Sequence, residues 1–171
     1  MIRTVVCLLL LFCIHGIKGQ WVNDYHDDAV LDCRGNQLLS SIGSIHKNSY
    51  EDRLWKFQCR PAPGPVYDCD WTSYLNEFDQ VLNFTCPRDY LINGMMSYFD
   101  NLYKDRRFLV KCCRVYPRST TNCHFTAKFV NDWDKEMNFS MLVGECIKGV
   151  YSVHDNRKQD RRWKFNICNL V

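Results

Sequence analysis

The sequence predicts an all-β protein: a single disulfide-stapled domain of three pseudo-threefold repeats with about four strands each. Three observations support this prediction. Shifting the chain by 53 residues aligns its first third with its second, and a further shift of 55 aligns the second with the third. Each copy contains residues that alternate between apolar and polar, the period of a strand with one buried face. The 11 cysteines in 171 residues are typical of an exported, disulfide-bonded domain.

The first 19 residues are expected to form a signal peptide. A positive start at Arg3 precedes an apolar run over residues 5–14, which ends in a short stretch of small and polar residues at 16–19. The run is too short to span a bilayer and no other segment approaches the required length, so we expect export without a membrane span. Cleavage after Gly19 would leave a mature chain that begins at Gln20.

The mature composition limits the possible partners. Loss of Arg3 and Lys18, with no acid, lowers the formal net charge from +3 to +1. A protein whose main task is to bind nucleic acid carries a large basic excess, so we expect no nucleic-acid partner. The leader takes two of the 11 cysteines, and the nine that remain predict four bridges and one odd thiol. Two N-glycosylation sequons, at Asn83 and Asn138, are consistent with an exported protein.

Each repeat is predicted to contain a hairpin. In the first copy a mixed run over 38–46 and an alternating segment over 55–59 flank a polar turn at 47–52. The corresponding mixed runs of the other copies are 91–99 and 146–154. No segment shows sustained helical periodicity with caps, so few or no helices are expected.

A second pair of strands is expected from the opening signature and the residues that follow it. The signature is aromatic, aliphatic, Asn, acid, aromatic, and it occurs at 21–25, 74–78 and 129–133. With the hairpin this makes four strands per copy and a closed body, which either a β-trefoil or a β-prism would satisfy. The copies are placed at residues 20–68, 69–122 and 123–171.

Several residue patterns resemble the dermatopontin family. They are the closing sequence Asp-Arg-x-Trp-x-Phe-x-Cys, the opening Trp-Val-Asn, the run 112–114 (Cys-Cys-Arg) and the expected cleavage before Gln20. The resemblance covers essentially the whole mature chain. It implies a secreted protein of the extracellular matrix that binds proteoglycans or other acidic glycans, collagen or other matrix proteins, and supports matrix or shell-matrix assembly and cell–matrix adhesion. Because invertebrate relatives include haemagglutinating lectins, the alternative is a soluble carbohydrate-binding agglutinin of innate defence.

The resemblance also implies a disulfide pairing. The implied bridges are Cys33–Cys59, Cys69–Cys112, Cys86–Cys113 and Cys123–Cys168. Repeat symmetry alone would instead pair Cys86 with Cys112. When the three copies are aligned, Cys146 is equivalent to Leu38 and Leu91, so we expect it to be the buried free thiol.

The repeated Asp-Arg pairs and the bases beside them are the candidate ligand-binding residues. Arginine offers bidentate donors to sulfate or carboxylate, and adjacent aromatic rings add cation–aromatic surfaces. The structural alternative is that each Arg forms an internal ion pair that braces a strand, which would leave the variable bases as the better candidates. The candidate set is Arg53, Trp55, Lys56, Arg106, Arg107, Lys111, Arg161, Arg162, Trp163 and Lys164.

The sequence gives little support for catalysis or for a metal. No nucleophile elbow, phosphate loop or His-Glu zinc helix is present, so we expect no enzyme and no cofactor. His46 and His154 share a column with Phe99, which favours packing over metal binding. The repeated Asn of the opening signature is interpreted as a turn residue rather than a ligand for sugar or calcium.

Overall fold

A computed structural model describes residues 21–171, so the expected signal peptide, its cleavage site and Gln20 lie outside the described residues. Within this range the chain forms eleven strands. They are β1 (Ala29–Asp32), β2 (Gln37–Lys47), β3 (Asp52–Pro61), β4 (Val66–Trp71), β5 (Leu82–Thr85), β6 (Leu91–Asp100), β7 (Asp105–Val115), β8 (Thr120–Phe125), β9 (Met137–Ser140), β10 (Glu145–Asp155) and β11 (Asp160–Leu170). None of the described residues forms a helix that could cross a membrane.

The strands form three antiparallel sheets, which confirms the all-β prediction. Sheet 1 has the order β3-β2-β9, sheet 2 the order β1-β6-β7-β4, and sheet 3 the order β5-β10-β11-β8. The centre of each is a long hairpin, β2–β3, β6–β7 or β10–β11, and the first strands of these hairpins coincide with the predicted mixed runs. The local alternation therefore located the hairpins.

The outer strand on one side of each hairpin comes from the preceding copy of the repeat. Strand β1 pairs with β6, β5 pairs with β10, and β9 of the third copy closes the circle by pairing with β2 of the first. The strands β4 and β8 pair with β7 and β11. The expected borders after residues 68 and 122 therefore fall inside β4 and β8, strands that belong with the hairpin that follows them.

The opening signature does not form a strand, contrary to expectation. Its asparagine instead uses its side chain to clasp the hairpin: Asn23 Oδ1 accepts the Trp55 N–H at 2.8 Å, and Asn23 Nδ2 donates to the Arg53 carbonyl at 3.1 Å. The same pair of bonds recurs at Asn76 and Asn131. A buried amide side chain thus replaces a ladder of backbone bonds, because it satisfies one donor and one acceptor of the strand at once.

The core is centred on one aromatic residue from each hairpin. Trp55, Phe108 and Trp163 are fully buried and meet edge to face, with ring centroids 4.8–6.0 Å apart. Edge-to-face contacts of this kind add stability beyond the apolar area they bury. Trp55 and Trp163 are therefore core residues, and their expected role as ligand contacts is wrong.

Four disulfides join the strands, and two of the implied pairings need correction. Cys33–Cys59 and Cys123–Cys168 are present as implied, whereas the middle bridges are Cys69–Cys113 and Cys86–Cys112. Adjacent residues of a strand point to opposite faces, so Cys112 and Cys113 must reach different partners. Asp70 is the register partner of Cys112, which leaves Cys69 opposite Cys113, with 4.1 Å between their Cα atoms.

The corrected bridges follow the repeat. Cys86–Cys112 reproduces Cys33–Cys59, with the same separation of 26 residues, and both tie the end of a short outer strand to the hairpin of another sheet. The other two bridges join neighbouring strands within one sheet. Cys146 is a buried free cysteine.

Candidate functional site

The three repeated arginines lie inside the protein, in ion pairs that connect one copy to another. Each is 4% exposed. Each donates through Nε and Nη2 to both oxygens of an aspartate at 2.6–2.8 Å; the pairs are Arg53–Asp160, Arg106–Asp52 and Arg161–Asp105. We call these six side chains the Asp–Arg ring, because the three pairs link each copy of the repeat to the next and so form a closed circle.

The ring is further tied to the backbone. Each arginine Nη2 also donates to a carbonyl of an opening segment, those of Lys135, Asp27 and Gln80. Each aspartate accepts a backbone N–H from the same segments. Buried and paired in this way, the three arginines cannot reach an external ligand, so their expected role as ligand-binding residues is wrong.

Two half-buried arginines, Arg107 and Arg162, are stacked on aromatic residues of the opening signature. The Arg162 guanidinium lies 4.2 Å from the ring centroid of Phe129 and 4.5 Å from that of Trp133. In the second copy Arg107 lies 4.4 Å from Tyr74 and donates to Glu77 at 2.9 Å. Stacking of this kind orients a guanidinium while leaving its edge free to donate hydrogen bonds.

A groove on the third copy collects several cations. It has a volume of about 550 Å³. Its lining includes four bases and two acids: Lys128, Lys135, Arg162, Lys164, Asp132 and Glu136. We call it the copy-3 groove. The Lys164 ammonium lies 5.3 Å from the ring of Phe129, which also lines the groove.

A second depression adjoins the groove on the outer face of sheet 1. We call it the Gly43 recess; it has a volume of about 170 Å³ and is lined by residues of β2, β3 and β9, among them Lys56, Gln58 and Asn138. The Lys56 ammonium lies 3.4 Å from Glu136 Oε1, which connects the recess to the groove. A hydrogen bond from the Asn138 side chain and the charge of Lys56 lower the pKa of the Glu136 carboxyl.

The row of residues that crosses the recess has an equivalent on each of the other sheets, and the chemistry of the three rows differs. In each sheet a row of three paired residues crosses from the outer strand over the hairpin. The rows are Asn138–Gly43–Lys56, Asn83–Tyr151–Lys164 and Val30–Met96–Leu109. Two rows end in a lysine and the third is apolar. At this row, therefore, sheets 1 and 3 each present a lysine and sheet 2 does not.

Lys111, the last of the expected candidates, is engaged elsewhere. Its ammonium pairs with the Asp32 carboxylate, only 13% of its side chain is exposed, and it lies 5.7 Å from the Trp71 ring. Of the ten expected ligand-binding residues, the structure brings Lys56, Arg162 and Lys164 together and leaves Arg107 on a separate face.

Two clusters of histidine and aspartate were missed by sequence reasoning. Side chains of His46, Asp134 and Asp160 meet at one junction, and those of His154, Asp79 and Asp105 at another, with each trio's candidate metal-ligating atoms within 4.8 Å of one another. When the three copies are aligned, Asp79 and Asp134 are equivalent to His26. This equivalence is the sequence signal that could have revealed the clusters. In each trio one aspartate already holds an arginine of the ring, whose positive charge would oppose a bound cation. No metal site is inferred.

Fold and surface together define a disulfide-bonded, all-β protein with an outer groove lined by four bases and two acids. The family model for dermatopontin matches residues 23–171, and the chain belongs to the dermatopontin family, which is non-enzymatic.

The relatives of this chain carry two kinds of name. It is 36% identical over 166 residues to the hemagglutinin/amebocyte aggregation factor of Limulus polyphemus, covering 95% of each chain. It is 37% identical over 136 residues to the dermatopontin of Biomphalaria glabrata, covering 80% of this chain and 90% of the relative. The dermatopontin of Homo sapiens is 26% identical over 171 residues, covering 92% of this chain and 85% of the human one. No solved structure gave a significant match.

Proposed function

We propose that this protein is secreted and binds acidic glycans of the extracellular matrix, such as proteoglycan chains, through the copy-3 groove and the Gly43 recess. The observation that carries the proposal is the convergence of five bases, Lys56, Lys128, Lys135, Arg162 and Lys164, on these two joined depressions. The four disulfides and two exposed sequons support an extracellular destination. Collagen or other matrix proteins are proposed as further partners on the strength of the family.

The chemistry of the site suits a sulfated or carboxylated sugar chain. The stacked Arg162 guanidinium offers parallel N–H donors to a sulfate or carboxylate, and the lysines add point charges along the groove. Binding would release counterions and weaken with salt. In this proposal copies 3 and 1 hold one principal site, and Arg107 of copy 2 provides a separate cation.

Heparin chromatography with a salt gradient tests the proposal. We expect an Arg162→Gln/Lys164→Gln variant to elute at distinctly lower salt than wild type, with about two fewer ion contacts in the salt dependence of binding. The matched control is Arg34→Gln/Arg157→Gln, which removes two exposed positive charges outside the site. Equal elution of the two variants would refute a local site and leave only a general effect of net charge.

A carbohydrate-binding agglutinin is the second candidate. The name of the Limulus relative, which matches over 95% of both chains, favours it. The heparin column distinguishes the two candidate functions, because a lectin would be displaced from it by a free neutral sugar at constant salt. Displacement of that kind, together with agglutination of cells that the same sugar inhibits, would replace the acidic-glycan proposal.

A further inference from the structure

We propose that an N-glycan on Asn138 covers the Gly43 recess and thereby weakens the binding of acidic glycans. The inference rests on the function proposed above and concerns the regulation of the same site. Its starting point is the position of the sequon on the outer face of sheet 1, within the lining of the recess that holds Lys56.

The sequon is presented to solvent in an extended strand. Asn138 and Ser140 are exposed, whereas Phe139 between them is partly buried and packs against the core. Because strand side chains alternate between faces, both polar residues of the sequon point outward and a sugar on Asn138 needs no change in the fold. Asn83 has the same arrangement in β5.

Gly43 determines what this sugar would meet. It lies opposite both Asn138 and Lys56, on the middle strand of the row. A Cβ atom at Gly43 would lie 2.4 Å from Lys56 Cε and 3.2 Å from Asn138 Oδ1. The lysine therefore lies across the bare backbone of β2 toward the asparagine, so the first sugar on Asn138 would lie directly over it.

Glu136 extends the effect from the recess to the groove. Its carboxylate pairs with Lys56 at 3.4 Å and interacts with the Asn138 side chain. A sugar attached to Asn138 Nδ2 would add bulk beside this ion pair, at the border of the two depressions. Occupancy of the sequon would thus remove one cation from the site and obstruct the passage of a polysaccharide between recess and groove.

The second sequon provides a matched comparison. At Asn83 the place of Gly43 is taken by Tyr151, the middle residue of the row between the asparagine and Lys164. A sugar there would contact an aromatic ring, with the cation on its far side. We therefore expect the glycan on Asn83 to affect binding less than the glycan on Asn138.

The test compares glycoforms of the full chain secreted from eukaryotic cells. Ser140→Ala abolishes the sequon while keeping Asn138, and Thr85→Ala does the same for Asn83. Intact mass gives the occupancy, and heparin elution gives the binding. We expect Ser140→Ala to elute at higher salt than wild type, by about one ion contact, and Thr85→Ala to stay nearer to wild type. Adding Lys56→Gln to Ser140→Ala should cancel the gain.

Several results would overturn the proposal. These are a wild-type mass that shows bare Asn138, unchanged elution of Ser140→Ala despite loss of its glycan, and an equal or larger gain for Thr85→Ala. The outcome is separable from that of the proposed function. If Arg162→Gln/Lys164→Gln still weakens heparin binding, only the regulation has failed; if it does not, the site itself has failed.

Discussion

The Cys146 thiol lies buried between two strands of sheet 3. Cys146 is the register partner of Cys168, and its Sγ donates to the Cys168 carbonyl at 3.7 Å. Burial raises the pKa of this thiol to about 11, even though the nearby Lys148 and Arg60 favour the thiolate. The thiol is therefore kept neutral opposite Cys168, one half of the Cys123–Cys168 bridge, and a neutral thiol is a poor nucleophile for thiol–disulfide exchange.

This pKa predicts a loss of stability in alkali. The folded-state pKa of Cys146 lies above its ordinary value of 9.0. The contribution of the neutral thiol to the free energy of unfolding is therefore complete below pH 9 and is lost as the pH rises towards 11. We expect wild type to lose roughly 2–3 kcal/mol more than Cys146→Val between pH 8.5 and 11.5. Urea unfolding at each pH measures this. If the free energies of unfolding of wild type and Cys146→Val change with pH in parallel, the thiol has the same pKa in the folded and unfolded states, and the prediction is wrong.

Neighbouring arginines show how far residue roles could be predicted. Arg161 and Arg162 are adjacent in β11, yet one is buried in the Asp–Arg ring and the other is stacked at the surface. The alternation of side chains along a strand predicts this difference, because Arg161 lies on the same face as the apolar Trp163 and Arg162 lies on the opposite face. The partner of the ring arginine could not be predicted, because Asp105 lies 56 residues away in the chain.

At the scale of the elements, the hairpins were predictable and their outer neighbours were not. A hairpin is local: its two strands and its turn lie within about 25 residues, and their alternation is visible in the sequence. The pairing of β9 with β2 joins residues almost a hundred positions apart, and no local period encodes it. The opening signature misled for a related reason, because aromatic and aliphatic residues around a clasping asparagine resemble a strand.

Two glycines on the hairpins are expected to differ in their tolerance of alanine. A Cβ at Gly149 would lie 2.7 Å from the Phe84 carbonyl oxygen and 3.2 Å from Thr85 Cα, both fixed in the paired strand β5. We expect Gly149→Ala to cost about 1–3 kcal/mol of stability through overpacking.

Gly43→Ala is the matched control for that change. Its nearest obstacle is the far end of the Lys56 side chain, which can move aside. We therefore expect a loss below about 1 kcal/mol, with the recess filled. Urea unfolding of both variants under non-reducing conditions makes the comparison, and a larger loss for Gly43→Ala would contradict the packing described for sheets 1 and 3.

At the scale of the whole molecule, the Asp–Arg ring joins the three copies. Arg161→Met would leave the Asp105 carboxylate buried and without its guanidinium, and we expect a loss of about 3–5 kcal/mol. Arg162→Met, one position along and half-buried at the surface, should cost less than about 1 kcal/mol. Denaturant unfolding measures both. A second change, Asp105→Leu, should restore part of the stability to Arg161→Met; similar losses for the two single variants would contradict a structural ring.

The exchange of outer strands between copies also bears on how the chain can be made. Sheet 1 holds the first hairpin, but its outer strand β9 lies in the last third of the chain. During synthesis one edge of this hairpin therefore stays unpaired until residues 137–140 have been made. The first copy is therefore the earliest to be made and among the last to be completed, and a chain truncated before residue 137 would leave it with an unpaired edge.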